Sequence, residues 1–368
     1  MRVPYVMPYP LVMTGEMTTS PPDPPRSVLV TGASTFLGGY LVARLAANPE
    51  IETVLAVDSR VPRKDLLRRM GRAEFLRLDI RRPTIAKAIA SYNVDTVVHA
   101  ATSIMEAAPH STAIKEFNLI GSMQVCAACQ RSPSVKRVVL RSTAMVYGAS
   151  SKDPSHFDEG TTAVREPKVG YGRDLLDVEG YVRGLARRRQ DIDITIVRPQ
   201  AILGPRINTR MGSYLSLPVV PTVIGMEPRL QFLHEEDALA AMEHAVLANR
   251  PGTYNVAGDG VVTLTQAIRR LGHIQMPVPK GLLAPITGVF QDLRSAKLRS
   301  SQTDYLTYGR VLDTTRMRTK FGFTPHYTTD QTLEDFIRRG SSSPVIGADT
   351  WRSVEHRVVS AAHRLVEV

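Results

Sequence analysis

The sequence predicts an α/β protein: a doubly wound parallel sheet with a smaller C-terminal lobe. Three observations predict it. Short continuous apolar runs alternate with helical patterns from Ser27 to Arg198, as strands buried on both faces of a parallel sheet do. The first run passes straight into a glycine turn and a helix start, SVLVTGASTFLGG over residues 27–39. Beyond about Pro205 the alternation becomes irregular, so a second unit is expected from there.

The elements follow in order. The helix opened by the glycine turn continues through 41–47, and a second apolar run covers 53–57. A third strand is expected at 75–80, ending in Asp79-Ile80, and a fourth at 96–102 (TVVHAAT). A long helix covers 114–131, a fifth strand 137–142 (RVVLRS), a helix 172–189 and a sixth strand 192–198. Right-handed crossovers wind these into a sheet covered on both faces. Arg187, Arg188 and Arg189 suit the negative end of their helix. In the irregular half, 252–257 (GTYNVA) reads as a strand and 264–271 and 314–321 as short helices. Trp351, Val354, Val358, Ala361 and Leu365 form one helical stripe, which suits packing or a homodimer contact. The expected division is a proline-rich disordered tail (1–26), a sheet domain (27–205 with part of 230–260), a lobe (206–340) and a C-terminal tail with a helix (341–368).

Composition narrows the class. The 368 residues are 43% hydrophobic and 22% charged, ordinary for a globular chain with a sizeable core. The formal net charge is +11. The arginines are dispersed, as at Arg68, Arg69 and Arg72, without interleaved aromatics, which argues against a nucleic-acid interface and for small anionic ligands. Cys126 and Cys129 fall inside a predicted helix and read as buried apolar residues, not a redox pair. No metal site is expected. The N-terminal apolar stretches are short and broken by proline, so neither a signal peptide nor an anchor is expected. No run reaches the ~18 apolar residues of a membrane span; that at 214–226 is broken by Pro218 and Pro221. A cytoplasmic protein is the expectation.

The glycine turn carries the first chemistry. Gly32 permits a tight exit from the strand, and Gly38 lets the helix pack against the sheet. The helix N-terminus offers N–H donors and partial positive charge to a pyrophosphate. The middle position of the G-x-x-G-x-x-G spacing is Thr35. Its side chain either pushes the phosphates away or offers them a hydroxyl donor. Asp58 ends the second run, 26 positions after Gly32, close to the ~20 expected for the acidic residue that holds the ribose. Turn and carboxylate together indicate a dinucleotide site.

The motifs VTGASTFLGG, VDSR, VVHAAT, NLIG, VVLRSTAMVYG, YGRDLLDVEG, IVRPQAILGP, FLHEEDALAA, TYNVAGDG and LDTTRMRTKFGFTP occur in one order. In this the chain resembles the extended short-chain dehydrogenase/reductase family, in its NAD-dependent epimerase/dehydratase branch, which includes UDP-glucose 4-epimerases. The resemblance implies a Rossmann-type domain, a substrate lobe and a nucleotide-sugar-like substrate. It places Gly32, Thr35, Phe36 and Leu37 at the pyrophosphate, Asp58 at the adenosine ribose, and Asp79 and Ile80 at the adenine. Ala100 and Ala101 would lie nearer the nicotinamide ribose, and Pro199 is a further expected cofactor contact. Asp58 favours NAD over NADP, since a carboxylate repels a 2′-phosphate; Arg60, two residues on, keeps NADP open. His99, at a strand end, reads as a packing residue.

The family's chemistry uses a Tyr as acid/base, a Ser or Thr that orients the substrate oxygen, and a Lys four residues after the Tyr. Thr143 and Tyr171 match the first two, but the Lys position is Leu175. Arg173 falls on roughly the opposite helix face, and Lys168 precedes the helix. The missing charge predicts a loss of ~10²-fold or more in a proton-transfer step. The Asn of the family's R-P-x-N-x-Y-G-P stretch is Ala201, and the Arg of its R-D-[YF]-[IV]-H strand is Leu230, with Arg229 one residue away. A one-residue offset reverses the strand face. Arg206 and Arg229 are the remaining candidates for substrate phosphate. Three readings follow: an NAD-dependent epimerase or oxidoreductase acting on a nucleotide sugar or similar alcohol, an NAD-binding scaffold or redox-responsive partner that does not turn over, and, on Arg60 alone, an NADP-dependent reductase of a carbonyl substrate.

Overall fold

The computed structural model describes residues 24–102, 112–161, 166–167, 170–283 and 300–340. The expected tail through residue 23, Lys168 and the stripe at 351–366 lie outside these residues. The chain opens with β1 (Ser27–Thr31), β2 (Thr53–Asp58), β3 (Glu74–Arg77), β4 (Thr96–His99), β5 (Arg137–Arg141) and β6 (Asp193–Pro199). It then forms β7 (Ala201–Leu203), β8 (Val219–Val223), β9 (Arg229–Leu230) and β10 (Phe232–His234) before returning as β11 (Gly252–Val256). The central sheet has seven strands in the order β11-β6-β5-β4-β1-β2-β3, and each pairing is parallel. The chain winds outward from β1 in one direction and from β4 in the other. The ligand crevice of such a sheet lies at that reversal, beyond the C-terminal strand ends.

Period-two alternation divides each strand between two cores. Val28 and Val30 pack with α1 (Phe36–Ala47) and α7 (Glu235–Leu247), while Leu29 joins the opposite layer of α3 (Thr84–Ser91) and α4 (Thr112–Arg131). A further cluster lies along α5 (Tyr171–Arg188) and includes Leu140, Tyr171, Leu175 and Val178. The C-terminal lobe has its own core, built on α6 (Arg210–Leu215), β8, α8 (Leu264–Arg270), α9 (Ser300–Tyr308) and α10 (Thr329–Gly340).

Several expected elements are shorter or differ in kind. The fourth strand stops at His99 because the Ala100 and Ala101 N–H groups donate to Thr31 Oγ1, both at 3.2 Å, and so leave the ladder. The third stops at Arg77, where Leu78 N–H makes a last bond to the Asp58 carbonyl and the chain turns through Asp79. The helix expected at 314–321 is present from 315 and widens into a π-helix at Met317–Phe321, closed by Gly322 at φ +74. The apolar run at 214–226 is divided between α6 and β8. Sequence reading missed helices α3 and α7, although Ile85, Ala88 and Ile89 of α3 recur at helical spacing and are buried. Arg189 serves a neighbouring helix: its Nη1 donates to the carbonyls of Gln130 and Ser132 at the end of α4, at 3.0 and 3.1 Å. Among the described residues no helix is long and apolar enough to cross a membrane.

One buried ion pair joins these layers. Arg198 at the end of β6 grips Glu179 of α5 with two bonds, at 2.9 and 2.6 Å, and both side chains are nearly or wholly buried. Ser142 Oγ and Arg183 also donate to Glu179. Arg198 Nη1 reaches the Tyr147 hydroxyl (2.7 Å), which donates to Asn255 of β11 (2.7 Å). Burial alone would raise the Glu179 pKa, but the Arg198, Ser142 and Arg183 contacts outweigh it and hold the carboxyl below its ordinary value. Removing one partner of such a pair strands the other. Glu179→Gln is expected to lower stability by about 3 kcal/mol in urea unfolding. The wild type, whose Glu179 pKa is depressed on folding, should lose this contribution as pH falls below the ordinary glutamate range. A variant within ~1 kcal/mol of wild type would show the pair to be dispensable.

Candidate active site

The site begins where β1 turns into α1. Gly32 has φ +79, and a Cβ there would lie 2.8 Å from Ala101 Cα and 2.9 Å from the Ala100 carbonyl oxygen. The absence of a side chain therefore lets the turn touch the backbone beyond β4. A Cβ on Gly38 would lie 2.2 Å from the Gly32 carbonyl oxygen. Thr35 is engaged within the turn itself. Its hydroxyl donates to the Gly32 carbonyl (2.8 Å) and accepts from Gly38 N–H (3.1 Å), capping α1. That is a preorganised turn whose terminal donors lie at Phe36 and Leu37.

Asp58 stands at the end of β2, partly exposed. Its Oδ2 accepts from the Ser34 N–H (3.0 Å) and hydroxyl (2.6 Å), and its Oδ1 from Arg60 N–H (3.0 Å). A carboxylate has about four acceptor positions, so one is open to a ribose hydroxyl, and a second such bond would displace the Ser34 hydroxyl. The Arg60 side chain is exposed. Asp79 is paired with Arg81, which holds its carboxyl below its ordinary pKa. An adenine contact through that carboxylate would have to displace Arg81. Ile80 is buried against Gly121 of α4, and Pro199 is buried at the end of β6.

The segments that carry the two expected catalytic residues approach at one close backbone contact. Thr143 caps the single 3₁₀ turn Ala144–Tyr147, its hydroxyl accepting from Met145 N–H at 3.2 Å. Gly172, in the first turn of α5, has no side chain to separate it from that turn: its Cβ would lie 2.5 Å from the Met145 carbonyl oxygen. Tyr171 is thereby seated beside the turn, its ring in the apolar cluster. Its hydroxyl is hydrogen-bonded to Thr102 Oγ1 at 2.9 Å. Arg141, the last residue of β5, donates from Nη2 to the Thr102 carbonyl (2.6 Å), to Thr102 Oγ1 (2.8 Å) and to the Tyr171 hydroxyl (3.4 Å).

Sequence reading missed Arg141 and Thr102. The available signal was an arginine closing the apolar run of a central strand, where a parallel sheet opens its crevice. His99 is fully buried and hydrogen-bonded to Thr31 and Ser122. Burial, with a smaller contribution from the Arg141 charge, lowers its pKa to about 4, so it is neutral near pH 7. Leu175 is fully buried in the same cluster as Tyr171. Arg173 pairs outward with Glu166 and Asp177.

The two arginines considered for substrate phosphate are placed differently. Arg206 is held by Glu235 and Glu236 and lies over the rings of Phe36 and Tyr40, so its charge is already matched. Arg229 is exposed beside a fully buried Leu230, the face reversal that the one-residue offset predicts. Cys126 and Cys129 are free and buried; burial pushes the Cys126 thiol up to about 12, which makes it a poor nucleophile. Among the described residues no group of three or more His, Cys, Asp or Glu is placed to hold a metal ion.

The arrangement suits proton transfer at a hydroxyl next to a dinucleotide cradle. Leu175→Lys is not a simple repair, because it would place an ammonium in apolar packing. It is expected to lower stability by about 2–4 kcal/mol in urea unfolding. A stability equal to that of wild type would show that the site admits a lysine.

Comparison with known proteins agrees with this geometry. The model of the NAD dependent epimerase/dehydratase family matches residues 28–257. An uncharacterized protein of Mycobacterium tuberculosis is 50% identical over 344 residues, covering 93% of this chain and 92% of that protein. The structure of a UDP-glucose 4-epimerase from Thermotoga maritima, with UDP-glucose, superposes with a TM-score of 0.64 at 19% identity, over 85% of this chain and 98% of that one. A dTDP-glucose 4,6-dehydratase from Bacillus anthracis, in complex with NAD, gives 0.66 at 17% identity, over 89% and 99%. By the family match over most of its length, this chain belongs to the NAD-dependent epimerase/dehydratase family.

Proposed function

We propose that the chain is an NAD-dependent epimerase or oxidoreductase acting on a nucleotide sugar or a similar alcohol, with Tyr171 as acid/base and Thr143 orienting the substrate oxygen. The observation that carries this reading is the Tyr171 hydroxyl, bonded to Thr102 just beyond β4, where the backbone also touches Gly32 of the dinucleotide turn. The residues of that turn fit NAD. The Gly32 and Gly38 positions leave no room for a side chain, α1 presents its N-terminal donors, and Asp58 keeps an acceptor position open. Bound NAD supplies the hydride-accepting and hydride-returning chemistry. Tyr171 takes the hydroxyl proton as the carbon is oxidised and gives it back on reduction. Gly32, Phe36 and Leu37 hold the pyrophosphate, and Asp58 selects NAD over NADP by repelling a 2′-phosphate.

A second reading, an NAD-binding protein without turnover, is favoured by one observation: the buried Leu175 leaves α5 without a lysine beside Tyr171. The purified full chain separates the two. Calorimetry with NAD⁺, followed by assays against UDP-glucose and related UDP-sugars, should give binding and turnover. Tyr171→Phe should then cut turnover by ~10²-fold or more with little change in NAD⁺ affinity. Binding without turnover, and a Tyr171→Phe variant altered in nothing but binding, supports the second reading. In the same calorimetry Asp58→Ala should raise NADP⁺ affinity relative to NAD⁺; an unchanged ratio would remove Asp58 as the discriminator.

A further inference from the structure

We propose that Arg141, at the end of β5, supplies the positive charge that makes Tyr171 an effective acid/base, and that Thr102 couples the two groups. The inference rests on the proposed role of Tyr171. The geometry is direct: one guanidinium nitrogen donates to both oxygens of Thr102 and to the Tyr171 hydroxyl, and Thr102 Oγ1 is itself within 2.9 Å of that hydroxyl. A Tyr171 phenolate would therefore meet two donors, Arg141 Nη2 and the Thr102 hydroxyl, with Arg141 polarising Thr102 as well.

Arg141 differs in its partners from Arg189 and Arg198. Arg189 and Arg198 share their donors among carbonyls or carboxylates and each has an acidic partner. Arg141 forms no ion pair with any described residue, and its buried Nε–H has no partner. Its charge is thus uncompensated where the Tyr171 proton would leave. Among the described residues, the other groups on the elements around Tyr171 do not supply a competing cation. His99 on β4 is neutral. On α5, Asp174 is buried and accepts from Asn118 of α4 at 3.0 Å. Glu179 is paired with Arg198 and Arg183. Tyr147 of the 3₁₀ turn is bonded to Arg198 and Asn255. Lys115 and Glu116 of α4 are exposed, and Arg173 pairs outward.

The proton balance is simple. As the substrate carbon is oxidised, its hydroxyl proton moves to the Tyr171 phenolate oxygen, and it returns on reduction. Arg141 keeps its own protons throughout, since a guanidinium does not deprotonate in this range. It acts through Tyr171 as a positioning and charge-supplying residue.

The test is an ultraviolet difference titration of the full chain, wild type minus Tyr171→Phe, which isolates the ionisation of Tyr171 without any substrate. Arg141→Gln keeps hydrogen-bonding capacity but loses the charge. It should raise the Tyr171 midpoint by about one pH unit or more, a ~10-fold change in the ionisation constant. Arg141→Lys should restore most of the shift. In assays with UDP-glucose, the acid limb of kcat/KM should move with the midpoint. If Arg141→Gln does not fold, Thr102→Val, which removes the coupling hydroxyl, should raise the midpoint by a smaller amount. An unmoved midpoint in a folded Arg141→Gln or Thr102→Val protein overturns the inference. If Tyr171→Phe leaves turnover intact while the midpoint still moves, the proposed role of Tyr171 fails and the electrostatic coupling stands.

Discussion

The buried pair of Glu179 and Arg198 is the contact from which both walls of the candidate site hang. Glu179 lies two turns beyond Tyr171 on α5, so fixing its carboxylate fixes the pitch and rotation of the helix that presents the tyrosine. Ser142, which donates to the same carboxylate, immediately precedes Thr143. Tyr147, which accepts from Arg198, ends the turn that Thr143 begins. Helix and strand end are thus referred to one ion pair. Its desolvation cost is offset only because each oxygen of Glu179 is met by more than one donor. The same network reaches β11 through Asn255 and so ties the sheet edge to the segment at Asp313.

The positive balance of the composition acquires a more specific meaning in three dimensions. Arg72 donates to the carbonyls of Ala46, Asn48, Ile51 and Glu52 around the end of α1, and Arg189 does the same for α4. These side chains close helix ends that would otherwise leave carbonyls unpaired. Arg206 is absorbed by two glutamates. Much of the excess charge is therefore architectural. Against that background Arg141 brings its charge to the hydroxyl of Tyr171, with no ion pair to a described residue.

The departures from the family pattern belong to two different kinds of change. At Thr35 the substituted side chain takes over the work of a cap and leaves the dinucleotide turn intact. At Leu175 the substitution converts a charged position into core, and α5 packs through it. A charge near Tyr171 then has to come from another element, and among the described residues Arg141 at the end of β5 reaches its hydroxyl. Binding geometry and acid/base chemistry can diverge in this way because they draw on different strand ends: β1 and β2 for the cofactor cradle, β4 and β5 for the hydroxyl.

By itself the sequence determined the parallel sheet, the glycine turn, Asp58 and the placement of Thr143 and Tyr171 in the chain. Apolar runs, glycine spacing and helical periodicity are local patterns, and a parallel α/β sheet is largely specified by them. It also indicated through Leu175 that the usual charge was missing. Only the tertiary structure brought Arg141, Thr102 and Tyr171 together, because they come from three separate segments, up to 69 residues apart, that converge beyond the strand ends. The same holds for Asp58 and Ser34, for Arg206 and its glutamates, and for Arg189 and α4. Each is a side-chain choice among partners distant in sequence, made by packing rather than by any periodicity along the chain.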